Sequence, residues 1–137
     1  NSHLHISWTA LDGGEGGPAF MFGLEPEYLT IGCGTFAFPP ALLDTYRKRI
    51  AAEQGDDLGR ILDALKNKGF RLQDPALKRV PAGFPADHPY VELSLHKGIV
   101  AWRDFADPHE VTRPDIIRRC LDHFGEMLPL WRFLRAL

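Results

Sequence analysis

Between the turn at Glu25-Pro26-Glu27 and the break at Pro39-Pro40 lies one uninterrupted alternating run, Tyr28 to Phe38. Leu29, Ile31, Cys33, Thr35 and Ala37 fall on one side of it, and Tyr28, Thr30, Gly32, Gly34, Phe36 and Phe38 on the other. Successive side chains of a strand point to opposite faces, so the run reads as a strand that offers one face to a core. Gly32 and Gly34 share the opposite face and leave a bare strip of backbone there. Such a strip suits close approach by an aromatic ring, another chain segment or a ligand, and packing space for neighbouring aromatics is the ordinary use.

The rest of the chain is arranged around that strand. Leu4 to Ala10 alternate as a half-buried strand, with Leu4, Ile6, Trp8 and Ala10 on the inner side. After the glycine-dense Asp12 to Pro18 connection, Ala19 to Leu24 forms its hairpin-like partner. Pro39-Pro40 opens a helix carrying Leu42, Leu43, Tyr46 and Ile50 at helical spacing, with Gly55 as its end. A second helix is expected from Asp56 or Asp57 as cap, with Leu58, Ile61, Leu62 and Leu65 inward and Gly69 closing it. Phe70 to Val80 reads as extended, Tyr90 to His96 as a short helix with Gly98 beyond it, and Ile99 to Trp102 as a strand. Thr112 to Asp115 has the composition of a helix start. A stripe of Ile117, Cys120, Leu121, Phe124, Leu128, Trp131 and Leu134 follows it, and Pro129 is expected to kink or divide that helix. Adjacent strands early and helices late give an α+β fold, an antiparallel or mixed sheet with helices packed on it.

A chain of 137 residues supports one hydrophobic core, so residues 1–137 are read as a single domain. A formal charge of -2 and a pI near 6.3 supply no basic face for phosphate backbones, which argues against nucleic acid as a partner. Cys33 and Cys120 show neither CxxC nor metal-like spacing and read as two buried thiols of a reduced compartment, hence a cytoplasmic protein. No apolar run reaches the roughly 20 residues that span a bilayer, so no membrane association is expected. The opening Asn1-Ser2-His3 has no initiator Met and no charged-then-apolar pattern.

Ala19-Phe20-Met21-Phe22-Gly23-Leu24-Glu25-Pro26, then Leu29-Thr30-Ile31-Gly32-Cys33-Gly34, then Tyr46-Arg47, precede a more specific group. That group is Leu77-Lys78-Arg79-Val80-Pro81-Ala82-Gly83-Phe84, Asp87-His88-Pro89 and His96-Lys97-Gly98. Together they resemble the domain of unknown function 2461 family, with its Lys-Arg-x-Pro-x-Gly-aromatic loop, Asp-His-Pro turn and Lys-Gly step in order. The resemblance covers nearly the whole chain and implies a single α+β domain without implying a mechanism. It also implies a further N-terminal segment, with a basic stretch ending in a Pro-Tyr-Lys-like motif, ahead of the position of Asn1. The chain is on that basis expected to be the larger, C-terminal part of a longer family domain, and any site those basic residues complete is expected to be incomplete.

The chemically richest group is Lys78, Arg79, Asp87, His88 and Lys97, on a loop and at the ends of short elements, with Arg47 of the first helix as a further contributor. Arg offers a planar fork, Lys a point charge and His a proton donor or acceptor near neutrality, so a phosphate or carboxylate is the natural ligand. The competing reading is structural. Asp87 caps the helix begun by His88-Pro89, His88 bonds a loop carbonyl, and Lys97 serves the helix C-terminus. Lys78 and Arg79, being adjacent, point to opposite faces and cannot both serve one ligand without a bulge. His3 and His5 share a strand face but lack a third ligand of recognisable spacing, so no metal is expected. His109 and His123 read as a loop residue and a solvated helix face. Nothing matches a Gly-x-Ser-x-Gly elbow, a GxGxxG turn or a P-loop, and no residue pattern names a cofactor. The expectation is a small-anion or phosphorylated-metabolite binding domain using Arg47, Arg79, Asp87, His88 and Lys97. Its alternative is a non-catalytic interaction module, such as a homo-oligomer, meeting its partner through Phe36, Phe38 or Trp131.

Overall fold

The computed structural model describes residues 3–137. Five strands, β1 (Leu4–Thr9), β2 (Ala19–Glu25), β3 (Tyr28–Thr35), β4 (Arg71–Leu72) and β5 (Ile99–Asp104), form one sheet in the order β1-β2-β3-β5-β4. Every neighbouring pair is antiparallel. With helices α1 (Pro40–Ala51), α2 (Gln54–Asn67) and α3 (Ile116–Arg135), the fold is α+β, as the order of patterns implies. β3 is the central strand and keeps the faces read from its alternation: Leu29, Ile31 and Cys33 are each 0% exposed. Burial pushes the Cys33 thiol up to about 12, which makes it a core group and not a nucleophile. Phe22 and Phe20 of β2 sit opposite Ile31 and Cys33 and extend the same apolar face.

The three helices close that face. Tyr46 and Ile50 of α1, Leu58, Leu62 and Leu65 of α2, and Met127, Leu130 and Leu134 of α3 join Leu29, Ile31 and Cys33 in one core. Inside it the Tyr46 hydroxyl donates to the Leu93 carbonyl at 2.8 Å, so its one polar atom is satisfied. Gly69, at φ 93, ends α2 as expected, and the Phe70 amide returns to the Leu65 carbonyl at 3.0 Å.

Several boundaries differ from the sequence reading. β3 stops at Thr35 and leaves Phe36 outside the ladder. Gly55 does not end α1. It lies in the first turn of α2, where a side chain would collide with the Ile50 carbonyl and the His88 ring. Of the expected extended segment Phe70 to Val80, only Arg71–Leu72 pairs with β5. The short helix after Pro89 is a 3₁₀ turn, Val91–Leu95. A second 3₁₀ turn, Pro108–Thr112, is closed by a capping box between Asp107 and Glu110, and α3 begins at Ile116, directly after the Thr112 to Asp115 start signal. Pro129 lies inside α3 without dividing it.

Two corrections concern burial. β1 is exposed along its whole length, with Leu4 at 49% and Trp8 at 49%, because α3 meets it at Phe124, whose ring lies 6.0 Å from that of Trp8, and leaves an open groove beside Leu4 and Ile6. On α3 itself, Ile117 (73%) and Leu121 (62%) are exposed, and the buried stripe is Cys120, Met127, Leu130 and Leu134, with Phe124, Leu128 and Trp131 half-buried.

Candidate functional site

The Lys78 to Lys97 region is a long loop fastened to α2. Gly55 and Gly59, one turn apart, leave a bare stripe on that helix; the His88 ring packs at the first and the Tyr90 ring at the second. His88 Nδ1 accepts the Tyr90 amide at 3.0 Å, and the Phe84 ring lies 5.7 Å from the His88 ring. His88 therefore holds the loop's path, through a backbone amide and not the carbonyl expected. Asp87 is exposed and caps nothing, since the 3₁₀ turn at Val91 has no side-chain cap. Lys78, Arg79 and Lys97 are exposed. Among the described residues, no hydrogen bond or ion pair joins any two of Arg47, Arg79, Asp87, His88 and Lys97. Arg47 differs from the others: it is half-buried on α1, and its Nε is buried with no hydrogen-bond partner.

Among the described residues the other histidines do not gather into a metal-like cluster. The His3 and His5 rings meet edge to face at 5.4 Å, and no group of three or more His, Cys, Asp or Glu converges among the described residues. His123 is not on a solvated face. Its ring sits edge-on to Phe70 and Phe105, with Glu126 2.7 Å from Nδ1. Of the three aromatics expected at an interaction face, Phe38 is buried on Tyr46 and Trp131 stacks on Phe20 at 6.1 Å, which leaves only Phe36 exposed.

The richest convergence lies elsewhere, on the sheet face that the helices leave bare. The antiparallel register lines up two cross-strand rows there. One holds Ser7, Met21, Gly32, Trp102 and Arg71; the next holds His5, Gly23, Thr30 and Asp104. With Tyr28 and Phe36 they line a cleft of about 660 Å³. Gly32 explains itself at this point. The benzene ring of the Trp102 indole lies where its side chain would be, within 2.5 Å of an added Cβ, and any larger residue would lift the indole off the sheet. The bare strip read from sequence thus seats an aromatic ring.

Around Trp102 the polar groups are held in fixed geometry. Arg71 grips Asp104 with both arms, Nε to Oδ2 at 2.6 Å and Nη2 to Oδ1 at 3.1 Å, and Thr30 donates to Oδ1 at 2.8 Å. The Arg71 guanidinium, then the Thr30 hydroxyl, hold the Asp104 carboxyl below its ordinary range. The guanidinium also lies over the Trp102 ring, 5.5 Å from its centre, and Phe36 lies 5.8 Å from that ring, tilted by 44°. At the other end, His5 Nε2 is 3.5 Å from Glu25, and a hydrogen bond to Glu25 raises the Tyr28 phenol. The arrangement offers aromatic surface, hydroxyls and the engaged Asp104 carboxylate in one shallow cleft, the usual make-up of a small-molecule site.

Sequence reading missed this site because β5 was expected to end at Trp102, Arg71 fell in an ill-defined extended segment, and Glu25 looked like turn solvation. One signal was present. Trp102 and Asp104 share parity, and Gly32 and Thr30 share parity on the strand that turned out to be their neighbour.

On the covered side, the space between β1 and the start of α3 is a groove of about 720 Å³ whose walls include Leu4, Ile6, Trp8, Ile117 and Leu121. No helix of the described residues is long and apolar enough to cross a membrane.

Neither the curated proteins nor the solved structures contain a match to this chain. The model of the family described as conserved hypothetical protein (DUF2461) matches residues 1–133, almost the full length, and the chain belongs to that family.

Proposed function

We propose that this protein binds a small molecule on the helix-free face of its sheet. The observation that carries the proposal is the Trp102 indole seated on Gly32 beside the Arg71–Asp104 pair, which together form a side wall and a polar corner of an open cleft. A protein that needed this face only for stability could fill it with alternating polar residues, as antiparallel sheets with one wet face commonly do. Here the face instead gathers Trp102, Tyr28, Phe36 and Met21 around charged groups locked in place by their own hydrogen bonds. Groups fixed before binding lose little conformational freedom when a ligand arrives.

A small anion such as a phosphate group at the loop is the second reading, and Arg47 favours it. A buried guanidinium nitrogen without a partner is costly, and an anion reaching it would remove that cost. Arg79, His88 and Lys97, with Asp87, would complete that site.

Backbone and indole amide shifts, followed by NMR while mixtures of small metabolites and inorganic phosphate are added, separate the two. Perturbation centred on Gly23, Thr30, Gly32 and Trp102 supports the sheet-face site. Phosphate-induced shifts confined to Arg47 and the Lys78 to His88 loop support the anion site instead. A metabolite set that moves neither group sinks both.

A further inference from the structure

We infer that the ligand of the bare sheet face is a neutral, ring-shaped polyol, that is, a pyranose sugar, either free or at the end of a glycan. The inference rests on the sheet-face reading above and asks what that cleft would accept. Every full charge in it already has a partner. Asp104 fills the fork of Arg71, and Arg71 fills the position over the Trp102 ring that a ligand cation would take. Glu25 is engaged by His5 and Tyr28. An anion would have to displace Asp104 from Arg71 while facing that carboxylate. A cation would have to displace Arg71 from the indole.

A hydroxyl group does neither. It donates to the remaining lone pairs of a carboxylate and accepts from a guanidinium N–H, and Arg71 Nη1 has no hydrogen-bond partner among the described residues. Hydrogen bonds to ionised groups are about twice as strong as those between neutral ones. The Arg71–Asp104 pair therefore rewards a ligand with adjacent hydroxyls without demanding charge from it. The aromatic surface narrows the class further. Trp102 has Gly32 on one side and the guanidinium over its ring, so a flat base has no clear face on which to stack in parallel. Phe36, 57% exposed and tilted by 44° to Trp102, makes an angled corner instead. A puckered ring with C–H groups on its faces and hydroxyls on its rim fits an angled aromatic corner beside a polar pair.

The test follows the Trp102 indole N–H, with those of Trp8 and Trp131 as internal references, during titration of the chain with four probe sets. These are neutral hexoses and N-acetylhexosamines, oligosaccharides ending in the same sugars, neutral nucleosides, and inorganic phosphate with tetramethylammonium. Saturable movement of Trp102 by a saccharide is expected, with Kd raised tenfold or more by Asp104→Asn and by Phe36→Ala, both at exposed or half-exposed positions. Tighter binding of the oligosaccharides than of the free sugars assigns the glycan source; equal binding assigns the free sugar. Movement of Trp102 by nucleosides, phosphate or tetramethylammonium but by no saccharide overturns the sugar assignment and leaves the sheet-face site standing. Saccharide binding indifferent to both substitutions also overturns it. No movement of Trp102 by any probe removes the sheet-face site itself.

Discussion

β3 and β1 are written in the same code and meet opposite fates. Each alternates apolar and polar residues, and each turns its apolar set toward the same side of the sheet: Leu29, Ile31 and Cys33 on β3, Leu4, Ile6 and Trp8 on β1. The first set is 0% exposed and the second between 39% and 49%. The difference lies in what stands above them. Met127, Leu130 and Leu134 of α3 close over the sheet's centre, whereas the α3 residues facing β1 leave a groove. Alternation fixes which face a side chain takes; whether that face is covered depends on the path of a helix more than eighty residues downstream.

The largest test of this contrast is a matched pair. Ile31→Ala, at a fully buried site, should cost about 3 kcal/mol or more in urea unfolding, while Ile6→Ala should cost about 1 kcal/mol or less. Equal losses would mean that the groove side of β1 is covered in solution. Next in size, Gly32→Ala pushes the Trp102 indole off the sheet and should cost about 2 kcal/mol, with a displaced indole N–H resonance. An unmoved indole would show that the bare face yields where the covered face does not. Tyr46→Phe removes one of the two donors to the Leu93 carbonyl, which keeps the His96 amide at 3.3 Å, and should cost about 1 kcal/mol on the covered side.

The smallest effect belongs to Asp104 and to acid. Arg71 holds the Asp104 carboxyl below its unfolded value of about 3.9, so the pair contributes stability above roughly pH 4, and that contribution is lost as pH falls through the folded value. The pair is half exposed, which limits the contribution to about 1 kcal/mol or less. Asp104→Asn should therefore remove that contribution near neutrality, about 1 kcal/mol or less, leave stability at the acid end unchanged, and so flatten the slope between them. A variant that loses several kcal/mol at neutral pH would make the pair a structural keystone and not a preorganised site.

The fold was legible to a useful extent. Short-range periodicity placed all three helices and the faces of β3, and Gly69 marked the end of α2. Gly55 misled as a helix terminator because its purpose is tertiary: it makes room for His88, which lies far along the chain. Ile117 and Leu121 misled because helical spacing records which residues share a face and not whether a neighbour covers it. The basic loop drew attention through its composition, yet of the five candidate residues only Arg47 has a buried polar atom without a partner among the described residues; Gln73 Oε1 and His96 Nδ1, outside that set, are in the same state.

By itself the sequence determined what local rules determine. These are the alternation of β3, the helical stripes, the turn residues between them, the α+β class and, through its ordered motifs, the family. Tertiary structure alone decided which strands became neighbours. Antiparallel pairing of β3 with β5 set Gly32 beside Trp102 and Thr30 beside Asp104, and the short β4 brought Arg71 to both. A site built from cross-strand rows draws one residue from each of several distant segments. No local signal marks such a row, because its spacing is set by hydrogen-bond register across the sheet and not by distance along the chain.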